Sequence, residues 1–312
     1  MTHAPASSAP PPLANSPLLR LLRLGLGASQ RLWPALAVRA ACRLFGTPLP
    51  ARPLRALGRR RAPPTGWQAE HWPFERASLT LYTRPNATEG PVVLLVHGWG
   101  GHAGQMLALA AALEAQGLQA VLLDMPAHGR SAGAVSNLPQ FARALEYVGA
   151  RLQQHGQVLH AVVAHSLGAN AAAHAASRGL TAQRLVLLAP PASPHEYTRL
   201  FARMFGLSEA TRAALQQRIE AREGILMPQF EPAAVGPRIH VPTLVVHDRG
   251  DRINRFADGQ AYARAIAGAE LVATEGLGHA KILRDAQVLA TVARFVARPD
   301  DTLKACARPS AH

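Results

Sequence analysis

From Trp67 onward, short apolar runs alternate with stretches of helical period. Val92-Val93-Leu94-Leu95-Val96 is apolar on both faces, and the runs at 120–123, 159–164, 184–188 and 243–246 are nearly so. Strands read this way when helices cover a sheet on both sides, which is the arrangement of parallel sheets. Residues 77–82 and 270–273 complete a set of seven predicted strands. Helical period occupies 102–116, 139–154, 167–177, 256–267 and 281–297. The alternation predicts an α/β fold with a mostly parallel central sheet flanked by helices.

The rhythm breaks in two places. Residues 191–241 contain two helical stretches, 197–205 and 209–222, and no strand. An insertion at this point lies over the strand ends, where open α/β sheets bind ligands, so it predicts a helical lid. Ahead of the core, residues 18–45 are rich in Leu and Ala, with arginines at helical intervals, Arg20 with Arg23 and Arg39 with Arg43. They predict two short amphipathic helices interrupted by Gly25, Gly27 and Pro34. Residues 1–17, rich in Ala, Ser and Pro, are expected to be disordered. The five arginines and five prolines of 46–66 suit an extended connector. The expected organisation is a tail at 1–17, a basic arm and connector at 18–66, an α/β core at 67–190 and 242–298, the lid at 191–241 and a C-terminal tail at 299–312.

Composition adds limits. The 312 residues are 48% hydrophobic and 17% charged, enough to build a core without metal or disulfide. Cys42 and Cys306 are expected to be unpaired, so nothing argues for an oxidising compartment. No apolar run is long enough to predict a membrane span. The formal charge of +14 is uneven: residues 1–61 hold ten arginines and no acid, which leaves +4 for the rest. The positive field therefore belongs to an arm. Without zinc-finger spacing, an RNA-recognition aromatic motif or a basic heptad, no nucleic-acid partner is expected. Two readings stay open for residues 18–61. They anchor peripherally on an anionic membrane, with leucines and Trp33 in the headgroup boundary, or they pack on the body with solvated arginines; packing is preferred. The protein is expected in the cytoplasm, membrane-associated at most through this arm, although the Arg-rich, acid-poor start also matches a mitochondrial presequence.

The candidate chemistry begins at Ala164-His165-Ser166-Leu167-Gly168, where an apolar strand meets an Ala-rich helix. A serine on such a turn is exposed above the sheet, and small residues two before and two after let the turn close. Gly168 meets that demand, and Ala164 departs from glycine by one methyl. An ordinary helix cap would also place a serine here. From this motif on, residues from about 75 to 298 resemble the α/β-hydrolase family, whose triad runs serine, acid, histidine along the chain. The resemblance implies Ser166 as nucleophile and His279, in Gly276-Leu277-Gly278-His279, as general base and acid. It also implies Asp251, in His247-Asp248-Arg249-Gly250-Asp251, as the orienting acid, with Asp248 the rival from the same loop. His97-Gly98-Trp99-Gly100-Gly101 resembles the family's oxyanion loop, which implies the backbone N–H groups of Trp99 and Leu167 as oxyanion donors. Leu122-Leu123-Asp124-Met125-Pro126-Ala127-His128-Gly129 resembles a rim loop and is read as architecture.

These residues imply hydrolysis of a carboxylic ester or thioester through an acyl-enzyme, with no cofactor and no metal. Lactone, amide or C–C cleavage would use the same parts. Tyr197, Leu200, Phe201, Met204, Phe205, Leu207 and Phe230 in the insertion point to an apolar acyl substrate. Two readings compete. A catalytically silent relative would bind a ligand or partner with the same fold. A nucleotide-binding protein would use Gly98-x-Gly100-x-x-Ala103 between a strand and a helix, but would leave Ser166, Asp251 and His279 as coincidences.

Overall fold

A computed structural model of the chain describes residues 17–48, 64–85 and 90–299. The expected tail before Pro17, most of the connector, Cys306 and the C-terminal tail beyond Pro299 lie outside the described residues. By its contacts the chain divides into two compact units, one of residues 47–192 with 228–312 and one of residues 1–46 with 193–227.

The larger unit holds one eight-stranded sheet, in the order β1-β2-β4-β3-β5-β6-β7-β8. The strands are β1 (Gln68–Phe74), β2 (Ala77–Thr83), β3 (Val92–Val96), β4 (Gln119–Asp124), β5 (Leu159–His165), β6 (Ala182–Leu188), β7 (Thr243–Asp248) and β8 (Glu270–Thr274). β3 to β8 run parallel, while β1 and β2 join antiparallel at one edge. The fold class read from the sequence holds, with one addition. β1 is absent from the seven predicted strands because only Trp72 and Phe74 of its residues are buried and Pro73 interrupts it. Proline is tolerated there because an edge strand needs fewer ladder donors.

Apolar side chains alternate between the two faces of the sheet. Val93 and Leu95 of β3, Val163 of β5 and Val186 of β6 pack with Leu109 and Leu113 of one helix (Leu107–Glu114) and with Val288, Val292 and Phe295 of another (Ala286–Ala297). Helices Leu138–Gln154, Leu167–Ser177 and Phe256–Ala265 pack against one another or against β5, β6 and β7. The helix predicted at 281–297 is two pieces, Gly278–Lys281 and Ala286–Ala297. Asp285 separates them, its carboxylate accepting from the N–H groups of Gln287 and Val288 as a cap. Register aligns the carboxyl ends of the strands: Val96 lies beside Leu123 and Ala164, and Ala164 beside Leu187. The loops after β3, β5, β7 and β8 therefore leave the same side of the sheet.

Among the described residues, the smaller unit is four helices, α1 (Pro17–Leu32), α2 (Pro34–Phe45), α3 (Pro194–Phe205) and α4 (Glu209–Glu223). The N-terminal arm and the insertion thus fold together, and residues 228–241 belong with the sheet. α1 runs through Gly25 and Gly27 without a break, and only Pro34 interrupts. Each glycine costs about 1 kcal/mol in a helix interior, and tertiary packing offsets it. Leu26 packs with Phe205, and Ala41 with Leu215, Ile219 and Met227. Fully buried Ala37 and Ala41 have no long side chain to hold α2 away. Phe45 meets Phe201 edge-on at 5.2 Å. The Gln30 amide spans the α3–α4 turn, donating to the Gly206 carbonyl at 3.1 Å and accepting from the Ser208 N–H at 2.7 Å.

Phe201, Met204, Phe205 and Leu207 therefore belong to this unit's own core. That removes the sequence-level ground for reading them as the walls of an apolar acyl pocket. Truncating the fully buried Leu215 to Ala should cost about 2–5 kcal/mol. Hydrogen exchange should then accelerate in both 34–45 and 209–223 and stay unchanged in β3 and β5.

Candidate active site

Ser166 stands between β5 and the helix Leu167–Ser177 with φ 54° and ψ −125°, a region that a side chain rarely adopts. Its neighbours allow it. A Cβ on Gly98 would lie 2.8 Å from the Ser166 Cβ, and one on Gly168 would lie 2.4 Å from the His97 carbonyl oxygen. Ala164, fully buried between β3 and β6, fits its methyl within the sheet. The Ser166 N–H donates to the Leu188 carbonyl at 2.9 Å, and its own carbonyl accepts from Ala169 at 2.9 Å. The hydroxyl is held at the mouth of the strand ends.

The other two predicted triad members meet it there. His279 Nε2 is 3.0 Å from Ser166 Oγ, and His279 Nδ1 is 2.7 Å from Asp251 Oδ2. These contacts join residues 113 and 28 positions apart. The Asp251 side chain is fully buried, while that of His279 keeps 18% of its surface exposed. Burial works to raise the Asp251 carboxyl. Hydrogen bonds from His279, the His279 charge and the N–H groups of Ile253 and Asn254 outweigh it and hold the group below its ordinary value. Asp251 Oδ1 takes those two N–H groups at 2.7 and 3.1 Å, which leaves Oδ2 for the imidazole.

The rival acid has a different task. Asp248 Oδ2 accepts from the Leu277 N–H at 3.0 Å and from the Thr274 hydroxyl at 2.9 Å, while Oδ1 accepts from the Gly250 N–H at 2.9 Å. Asp248 ties the acid loop to the loop that carries His279.

Three supporting residues are invisible to motif reading. His165, beside the nucleophile, donates from Nε2 to the His279 carbonyl at 2.9 Å, and the two rings lie 4.6 Å apart. Burial, and then the His279 charge, push His165 down to about 3, so it stays neutral. His247 is fully buried with Nε2 3.1 Å from the Asn254 carbonyl and 3.6 Å from Asp251 Oδ2, and burial lowers its pKa as well. Asn254 donates to the Ala189 carbonyl at 2.7 Å, fastening the acid loop to the end of β6. Nothing short-range in the sequence marks these three, because each acts on a partner from another part of the chain or on a bare carbonyl.

The loop after β3 is braced from inside. His97 Nδ1 donates to the Gly98 carbonyl at 2.7 Å, and its Nε2 accepts from the Met125 N–H at 3.1 Å. His128 Nε2 accepts from the Gly100 N–H at 3.0 Å, and Gly101 closes a turn onto the Gly98 carbonyl at 3.1 Å. Trp99 packs its ring on His128 and Phe141. Asp124 accepts from Ala103, Tyr82 and Arg130 at 2.6 to 2.8 Å, a wholly architectural role. Leu167 is the first residue of its helix, so its N–H has no intrahelical acceptor. Among the described residues no group of His, Cys, Asp and Glu has the arrangement of a metal site.

Comparison with known proteins agrees with this architecture. Residues 88–227 match the family model described as serine aminopeptidase, S33. No curated protein matches the chain. Est1E of Butyrivibrio proteoclasticus, solved with ferulic acid bound, is 20% identical over 77% of this chain and 100% of its own, with a TM-score of 0.59. A putative lipase from Acinetobacter baumannii is 17% identical over 72% of this chain and 89% of its own, with a TM-score of 0.55. The thioesterase domain from the curacin biosynthetic pathway is 22% identical over 74% and 99%, with a TM-score of 0.53. At these identities the solved structures speak for the fold. The family resemblance and the fold class read from the sequence are borne out.

The neutral state of His165 has a consequence for acid stability. Its folded pKa lies below its unfolded value near 6.5, so the stability it contributes is present above that value and is lost as pH falls toward 3. Between pH 7 and pH 5 the loss should be about 2 kcal/mol. His165→Gln keeps an N–H donor for the His279 carbonyl and removes the titration. Urea unfolding at the two pH values should show a smaller drop in the variant than in the parent.

Proposed function

We infer that this α/β-hydrolase is a serine hydrolase that cleaves a carboxylic ester or thioester through an acyl-enzyme on Ser166. The single observation that carries the reading is the unbroken chain of hydrogen bonds from Ser166 Oγ through both nitrogens of His279 to Asp251. It argues against a silent binding relative, which has no use for a strained serine in contact with a carboxylate-oriented imidazole.

In the proposed reaction Ser166 Oγ attacks the carbonyl carbon as His279 Nε2 takes its proton. Asp251 fixes the tautomer with the proton on Nδ1 and stabilises the imidazolium. The carbonyl oxygen becomes an oxyanion, for which the N–H groups of Trp99 and Leu167 are the donors in this reading, each worth about 3 kcal/mol of barrier. Collapse breaks the bond to the leaving alcohol or thiol, which receives the proton from His279. Water then repeats the sequence on the acyl-enzyme and regenerates Ser166. Because His165 and His247 stay neutral, the imidazolium of the reaction is the one Asp251 faces. The substrate is a small acyl compound, and the reaction needs no cofactor.

Two of the neighbours are named as a lipase and a thioesterase domain, which supports acyl–oxygen or acyl–sulfur cleavage. The matched family model is described as an aminopeptidase, which favours amide cleavage as the second reading, and the same triad serves it. A p-nitrophenyl acyl ester assayed beside an aminoacyl p-nitroanilide separates the two. Ester turnover should exceed amide turnover. Ser166→Ala and His279→Ala should each lower kcat by about four to six orders of magnitude, and Asp251→Asn by about four. A fluorophosphonate should label the parent at Ser166 and leave Ser166→Ala unlabelled. Labelling at another residue, or unchanged turnover without Ser166, would reject the mechanism.

A further inference from the structure

Among the described residues, the core of the helical unit uses one face of its first two helices. On α1, Leu22 and Leu26 pack inward, yet Leu21, Leu24 and Leu32 recur at i, i+3 and i+11 on a second face that is exposed, Leu24 by 73%. Trp33, at the joint between the helices, is 62% exposed, and Leu36 follows it at the start of α2. Monomeric soluble proteins rarely show large apolar side chains so close together without a partner.

Charge says what that partner is. Arg20, Arg23 and Arg31 lie exposed on α1, and Arg39 and Arg43 share the exposed face of Leu36 on α2, at i+3 and i+7. Residues 17–48 contain no acid. In the whole described unit ten arginines stand against four glutamates, all four in residues 193–227. Glu196 pairs with Arg199, Glu209 with Arg212 and Glu223 with Arg222. A second copy of the chain is a poor occupant, because a two-fold contact through this face would bring the same arginines together. An anionic bilayer offers both phosphates to exposed guanidinium groups and an acyl boundary to Leu and Trp. Trp suits that depth, with an apolar ring and one N–H that seeks water. No described helix is long and apolar enough to cross a membrane.

We propose that the exposed face formed by Leu21, Leu24, Leu32, Trp33 and Leu36 with its arginine border is a docking surface for an anionic phospholipid bilayer. The α1–α2 pair lies in the plane of the interface, with its opposite face held by α3 and α4.

The test is sedimentation of the full chain with vesicles of equal parts phosphatidylcholine and phosphatidylglycerol, against vesicles of phosphatidylcholine alone, at low salt. The parent should bind the mixed vesicles at least tenfold more tightly than the neutral ones. The double variant Leu24→Gln/Trp33→Gln should bind the mixed vesicles at least tenfold more weakly, with an unchanged unfolding transition. Arg20→Gln/Arg23→Gln should lose about fivefold per arginine removed. Equal binding of parent and Leu24→Gln/Trp33→Gln would overturn the proposal in favour of plain charge adsorption. Equal binding to neutral vesicles would overturn the role of the arginines. A parent dimer in light scattering that Leu24→Gln/Trp33→Gln converts to a monomer would assign the face to a second copy and overturn it as well.

Discussion

The candidate active site depends on one backbone conformation, the positive φ of Ser166. Holding a non-glycine residue there costs about 1–3 kcal/mol and persists only when the surroundings over-determine it. They do so through the sheet and the missing side chains of two glycines. The Ser166 N–H is bound to the end of β6 and its carbonyl to the first turn of the following helix. Gly98 and Gly168 leave the turn the room that any Cβ would take. With the hydroxyl fixed in space, the loop after β8 brings the His279 imidazole to within 3.0 Å of it.

Two carboxylates three positions apart show how environment assigns roles. Asp248 and Asp251 are both buried and both bound by backbone N–H groups, and both are held below the ordinary carboxylate range against the effect of burial. Every partner of Asp248 given above belongs to loop backbone or to Thr274, so its charge is spent on shape. Asp251 reserves one oxygen for His279. The neutral histidines around them follow the same logic. A second imidazolium beside His279 would oppose the one that the proposed reaction forms, and the burial of His165 keeps that from arising.

The sequence was most informative where chemistry is local. Ala164-His165-Ser166-Leu167-Gly168 packs the proposed nucleophile, its turn and a helix start into five residues, and the order of serine, acid and histidine along the chain named the other two groups that the fold brings to it. It was least informative where function depends on contacts between distant segments. His165 meets a carbonyl 114 positions away, and an ordinary His beside a serine carries no mark of that. β1 escaped because an edge strand with two buried residues lacks the apolar signal that made β3 plain. The insertion was legible as helices but not as a partner of the N-terminal arm, since Gln30 reaches Ser208 across 178 positions. Read alone, Phe201 and Phe205 resemble the wall of a pocket, and only the fold shows them spent on Phe45 and Leu26.

That pairing also changes the question put to the arm. A choice between packing on the protein and resting on lipid assumes that an amphipathic helix has one apolar face to give. α1 has two, one carrying Leu22 and Leu26 and the other Leu21, Leu24 and Leu32, and only the first is needed to hold the four helices together. A surface helix that served packing alone would be expected to carry polar residues opposite its core stripe. Leucines there leave apolar area in water at about 25 cal/mol per Å², and the core of the four helices does not recover it. The packed face makes the second one useful, because a helix already ordered by α3 and α4 loses little further entropy when it meets another surface. Packing therefore prepares the arm for binding instead of competing with it.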